Sequence, residues 1–119
     1  MTPPDFRQAD YISHMLEATM LALAYIEGLG KPEFMNDKKK TQQAVILNIM
    51  VIREAATKLS DEYPDFVTKY PQVQWKSMRG MHNRLAHGYF DINLDVVWET
   101  VKQALPELES QLRKIQHTL

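Results

Sequence analysis

The stretch Arg79-Gly80-Met81-His82-Asn83-Arg84-Leu85-Ala86-His87-Gly88-Tyr89-Phe90-Asp91 gathers the side chains of this sequence best able to move protons and hold phosphate. Two of the four histidines stand there, His82 and His87, with Asn83, Arg84 and Tyr89 beside them. Imidazole both donates and accepts protons near neutral pH. Guanidinium stays charged and meets phosphate oxygens with a planar fork. Together these groups suit metal-free cleavage of RNA, in which a base takes the 2′-hydroxyl proton, a cation stabilises the phosphorane, and an acid protonates the leaving oxygen. No Gly-rich phosphate loop, Ser-His-Asp ordering or Cys-His pair offers another chemistry. The plainer reading is a capped helix end. Gly88 is a good helix stop, and a cationic His in the last turn favours the helix dipole. The spacing fits both.

The segment is expected to lie on a helix over residues 73–87, with Trp75, Met78 and Leu85 as core contacts. Residues five apart on a helix point about 140° apart, whereas Asn83 and Arg84 lie within about 60° of His87. His82 and His87 therefore belong to different faces of one helix. A cleft between twofold-related helices brings both pairs together.

Other elements must hold that helix. Residues 5–27 carry Ala9, Ile12, Met15, Leu16, Met20, Leu23 and Ile26, with Thr19 among them, at helical spacing. Gly28, Gly30 and Pro32 end the helix, and a connection runs over 31–36. A second helix is expected over 37–60, with Asp37 as N-cap candidate and Ala44, Val45, Leu47, Val51, Ile52, Ala55 and Leu59 as its apolar face. Asn48 falls within that stripe and needs a hydrogen-bonding partner. Glu54 is either a surface charge or a buried support. Residues 61–71, with Tyr63, Phe66 and Tyr70, read as an ordered connection with one short helical turn. Asn93 caps a last helix from Leu94, which Pro106 kinks or breaks with a restart near Leu105. The fold class is all-α: a mostly antiparallel four-helix bundle in one domain, residues 1–119.

The segment His82-Asn83-Arg84-Leu85-Ala86-His87-Gly88-Tyr89 resembles the Arg-x4-His-x-Tyr signature of the HEPN superfamily in its HepT-like branch. Arg53-Glu54-Ala55-Ala56-Thr57-Lys58-Leu59-Ser60 is similar to the family's Gly-Glu-Ala-Ala-x-x-Leu-Ser block. Further likeness runs through Pro71 to Lys76, Gly80-Met81, Val97-Trp98-Glu99 and Leu105 to Leu108. The resemblance implies a toxin that acts as a metal-independent endoribonuclease at a homodimer interface, with His87, His82, Asn83 and Arg84 at the site. It also implies a partner, an MNT-type minimal nucleotidyltransferase antitoxin that attaches AMP to Tyr89. A non-catalytic helical module that only docks such a nucleotidyltransferase is the alternative. One departure matters: His82 stands where the family carries its Arg. An ordinary imidazole is only about one quarter protonated at pH 7, so phosphate stabilisation should weaken. The chain then reads as a natural or engineered attenuated member, with an active His82–His87 acid–base pair as the alternative.

Composition sets the remaining bounds. Net charge is −1, which argues against coating nucleic acid through bulk electrostatics but leaves room for local grip on a few phosphates. Lys38-Lys39-Lys40 and the set Lys76, Arg79 and Arg84 are the basic concentrations. There is no cysteine, hence no disulfide framework or thiolate metal site. His14 reads as a surface or satisfied histidine, and no metal or cofactor is expected. The start lacks the pattern of a signal peptide, and the apolar run over 20–26 is too short for a bilayer. A soluble cytoplasmic protein is expected.

Overall fold

A computed structural model describes residues 4–37, 40–81 and 92–119. Helix α1 spans Pro4–Ile26, α2 Lys31–Met35, α3 Lys40–Glu62, α4 Pro64–Thr68 and α5 Trp75–Arg79. After residue 91 come α6 (Leu94–Glu99), a π-helical turn (Thr100–Ala104) and α7 (Leu105–Thr118). No β-strand runs through the described residues, and the fold is all-α. None of these helices is long and apolar enough to cross a membrane.

The first and third helices form the main pair. Tyr11 and Arg7 near the start of α1 meet Glu62 at the end of α3, so the two run antiparallel. Ser13 meets Gln116 and Met20 meets Arg113, which sets α7 antiparallel to α1 as well. Between them lie Ile12, Met15, Ala18 and Ala22 of α1, Val45, Ile49, Ile52 and Ala56 of α3, and Leu108, Leu112 and Ile115 of α7. Two buried polar side chains of this core, Thr19 and Asn48, are satisfied locally. Thr19 donates to the Met15 carbonyl at 2.7 Å, and Asn48 finds its partner in the Ala44 carbonyl at 2.8 Å.

Gly28 turns the chain after α1 at φ 80°, a left-handed conformation that glycine adopts without strain. The connection expected at 31–36 contains a helix, α2. Proline in its first turn suits the missing N–H there, and Phe34, fully buried, is its reason to fold back. Phe34 packs against Trp98 of α6 with ring centroids 5.3 Å apart. Gln42 donates to the Phe34 and Met35 carbonyls and so closes the end of α2. Lys31 bonds Asp95 at 2.9 Å. That hydrogen bond and the carboxylate charge hold the ammonium pKa above its ordinary value.

The apolar faces expected for α1 and α3 need correction. Met20, Leu47 and Val51 face solvent, the last two at 64% and 38% exposure, while Ile49 and Ala56 occupy the buried stripe of α3. Asp37 lies in a bend, and the residues that join it to Lys40, where the cap of α3 was expected, lie outside the described residues. Ala104 is exposed. Elsewhere the pattern holds: Asn93 caps α6 by accepting the Val96 N–H at 3.2 Å, and the irregularity falls just before Leu105. Pro106 has no N–H for the carbonyl four residues back, and its ring crowds that carbonyl. The wider turn accommodates both. The Leu105 N–H reaches the Thr100 carbonyl, five residues back.

Burial makes a direct prediction for α3. Ile49→Ala should cost about 2–5 kcal/mol through the cavity it leaves, and Leu47→Ala should stay within about 0.5 kcal/mol. Urea unfolding of the two variants measures the difference; equal losses would reverse the assigned face.

Candidate active site

The residues singled out for chemistry, His82, Asn83, Arg84, His87 and Tyr89, lie outside the described residues, as does Leu85. What is described is the frame that delivers the chain to them and receives it afterwards. On the entry side, Trp75 donates its indole N–H to the Tyr70 carbonyl at 3.0 Å, fixing the start of α5. Gln111 of α7 donates to the Gln72 carbonyl at 3.0 Å, tying the same turn to the last helix. Phe66 and Tyr70, 5.1 Å apart, pack beneath it. Trp75, Met78 and Met81 are all buried, so the chain is anchored in the core up to residue 81. On the exit side, Ile92 packs on the core and Asn93 caps α6.

A cavity of about 160 Å³ lies at this junction, lined by Ile49 and Ile52 of α3, Met78 and Met81, and Thr100 and Leu105 around the π turn. It gives the end of α5 a defined position against α3. Asp61 supplies a second tether, accepting from Arg79 at 3.1 Å. Both partners are about half exposed, so this pair is worth about 0–1 kcal/mol. The buried Trp75 and Met78 contribute far more.

The basic set named from sequence is thereby divided. Arg79 is committed to Asp61, Lys76 is exposed, and Arg84 lies outside the described residues. Lys38 and Lys39 lie outside them too, and Lys40 is exposed at the first turn of α3. Glu54 is exposed, which makes it a surface charge rather than a buried support. His14 is exposed on α1. Among the described residues no three His, Asp or Glu side chains gather as a metal site.

One residue on this side of the molecule escaped the sequence reading. Arg53 is half-buried on α3, and its Nε is buried without a hydrogen-bond partner. The Thr57 hydroxyl, one turn further on, is buried and unpartnered as well. Leaving a buried donor without an acceptor costs about 1–3 kcal/mol, and more for a charged group. In the sequence Arg53 is simply the neighbour of Glu54; only its i, i+4 relation to Thr57 hinted at a shared face.

The described frame belongs to a longer likeness. The chain matches the family described as ribonuclease HepT-like over residues 15–115, which takes in α3, α5 and the whole of His82 to Tyr89. This chain is a member of the HepT-like ribonuclease family. A Methanocaldococcus jannaschii protein provisionally named as an RNase is 42% identical over 105 residues, covering 88% of this chain and 84% of that one. The "Probable ribonuclease HepT" of Thermococcus cleftensis is 33% identical over 106 residues, covering 89% and 93%. A protein of Caldanaerobacter subterraneus, also provisionally named as an RNase, is 31% identical over 105 residues, covering 88% and 90%. No solved structure matches this HepT-like chain.

Proposed function

We propose that this HepT-like chain is the toxin subunit of a HepT/MNT-type toxin–antitoxin pair, a cytoplasmic homodimeric endoribonuclease that needs no metal. The observation that carries the reading is the family match, which spans the motif together with the helices that frame it. In the proposed reaction His87 takes the 2′-hydroxyl proton and the freed oxygen attacks the adjacent phosphorus. Asn83 and Arg84 hold the non-bridging oxygens. The bond to the 5′-oxygen breaks, that oxygen collects a proton, and a 2′,3′-cyclic phosphate remains. His82, in its imidazolium form, supplies that proton or a partial charge to the phosphorane. On the helix expected from the sequence, His82 and His87 fall on different faces, which favours a site completed by a second copy.

Position 82 controls the rate. Arginine places a permanent cation there, and loss of one such transition-state contact commonly costs about a hundredfold to a thousandfold. His82→Arg should therefore raise cleavage of a mixed RNA in EDTA by about that factor, and His87→Ala should remove it. The starting protein should gain activity as pH falls towards about 6 and an ordinary imidazole at 82 becomes charged. If His82→Arg is no faster, the cation argument fails. A fast starting protein with a bell-shaped pH profile would instead favour the two-histidine acid–base pair.

The shared site requires assembly. Sedimentation of the purified chain at micromolar concentration should show a dimer; a monomer that still cleaves RNA would remove the two-copy site.

Tyr89 is the proposed point of control by an MNT-type nucleotidyltransferase. Its phenolic oxygen attacks the α-phosphorus of ATP and pyrophosphate leaves, which puts negative charge beside a site that must accept RNA phosphate. Incubation with the partner and ATP should add the mass of one AMP, and Tyr89→Phe should abolish that addition. Unchanged modification of the Phe variant would exclude Tyr89 as the acceptor.

A further inference from the structure

Six large apolar side chains stand exposed among the described residues, and four of them share one face: Leu21 and Tyr25 of α1, Leu47 and Val51 of α3. Contacts between the helices fix where these four point. Tyr11 donates to Glu62 at 3.3 Å, so residue 11 of α1 stands level with residue 62 of α3. Counted inward along the antiparallel pair, Tyr25 comes level with residue 48 and Leu21 with residue 52. Val51 is eleven residues before Glu62 and within about 20° of it, so it points along the edge that meets α1. Leu47, the most exposed of the six, falls between the directions of Glu62 and of Asp61, which turns to Arg79 of α5. On α1, Ser13 and Met20 turn towards α7, and Leu21 and Tyr25 lie on the solvent side between them and the Tyr11 edge. The four side chains form one apolar patch across the outer seam of the α1–α3 pair.

Charged residues frame this patch in a way that specifies its partner. Lys40, Leu47 and Glu54 follow one another at seven-residue steps, within about 20° per step, along one exposed stripe of α3. Leu47 is the centre, with a cation about 10 Å to one side and an anion about 10 Å to the other. Neither Lys40 nor Glu54 joins an ion pair with a described residue, Lys58 included. We infer that this face binds the same face of a second copy, the two α3 helices running antiparallel across each other at Leu47. A twofold axis there sets Lys40 of each copy against Glu54 of the other and passes close to Tyr25. Such a contact requires a surface complementary to itself, and a stripe of one sign would repel its own copy. A partner of different sequence gives no reason for opposite charges placed evenly about an apolar centre. Pairing as such comes from the two-copy reading above; the seam on α1 and α3 does not, and testing it needs no RNA.

The chain has no cysteine, which makes the axis directly testable. Helices packed with axes about 8–10 Å apart bring residues on a twofold axis within disulfide reach. Leu47→Cys in the full chain should therefore cross-link to a dimer under mild oxidation at micromolar concentration. Lys58→Cys lies on the same face, but its pair would be about 33 Å apart and should not cross-link. Sedimentation reads the rest. Leu47→Arg should weaken the dimer about a hundredfold. Lys40→Glu and Glu54→Lys should each weaken it about tenfold, and the two exchanges together should restore it. All three positions are exposed, and circular dichroism melts at dilution check that each variant folds. The small cost of Leu47→Ala given above is that of the separated chain; where the dimer forms, the same variant should also lose part of its concentration-dependent stability. A dimer that Leu47→Arg does not weaken, or that Leu47→Cys does not cross-link, would overturn the proposal and leave the two-copy site to another surface. Failure of the double exchange to recover what the single ones lose would overturn the antiparallel register. Should Leu47→Arg fail to fold, the cross-link and the charge exchange decide. A starting chain that is monomeric at every concentration reached would overturn the seam and the two-copy reading together. A cross-linked, charge-paired dimer in which no variant cleaves RNA, His82→Arg included, supports the seam and removes the ribonuclease.

Discussion

Helix α3 has to be buried on two sides at once, and the rest of the molecule is arranged to satisfy that demand. Val45, Ile52 and Leu59 follow one another close to the middle of its buried stripe, with Asn48 and Ala55 also buried, and Ile49 meets Met78 of α5. One helix alone could cover only one border. The small Ala18 and Ala22 of α1 and Ala55 and Ala56 of α3 let backbones approach, and the bulky Met78 and Trp75 fill the opposite side. Helix α6, the π turn and α7 then close the gap left between α1 and α5, using Val97, Val101, Leu105 and Leu112. Close packing leaves little freedom for any of these to shift alone. The chain leading into His82 inherits its position from that wedge, since Met78 and Met81 sit on the α5 side of it.

Periodicity showed most of this because long amphipathic helices repeat their signal many times. The end of α1, the Asn93 cap and the break before Leu105 were all readable, each from a residue whose chemistry has few alternatives. The face of α3 was harder. Leu47 and Val51 carry the same apolar signal as Val45 and Ile52, and spacing cannot tell a core position from an exposed one at the edge of a broad stripe. Helix α2 was missed for a different reason. Five residues give too short a repeat, and its anchor, the Phe34–Trp98 contact, joins residues far apart in the chain.

The candidate site divides along the same line. The motif was legible because His82, Asn83, Arg84, His87 and Tyr89 are adjacent and their types are chemically distinctive. Arg53 was not, because nothing in Arg53-Glu54 says which of the two charges turns inward. Tertiary burial decides it: Glu54 is exposed and the Arg53 Nε is buried. A charged residue's significance here depends on what covers it, and local sequence carries no record of the cover.

The π turn couples chain length to the identity of one residue. A turn closed five residues back, as Leu105 to Thr100, accommodates one residue more than an ordinary helical turn. Deleting a residue between 100 and 104 would restore a regular ladder, but it would also press the ring of Pro106 onto the carbonyl of the preceding turn. Replacing Pro106 alone would relieve that pressure and leave the extra residue in place. Each change is awkward without the other, and together they give a continuous helix from Leu94 to the end of α7. Natural variation at this point should therefore arrive in pairs, a shorter chain accompanied by a residue other than proline.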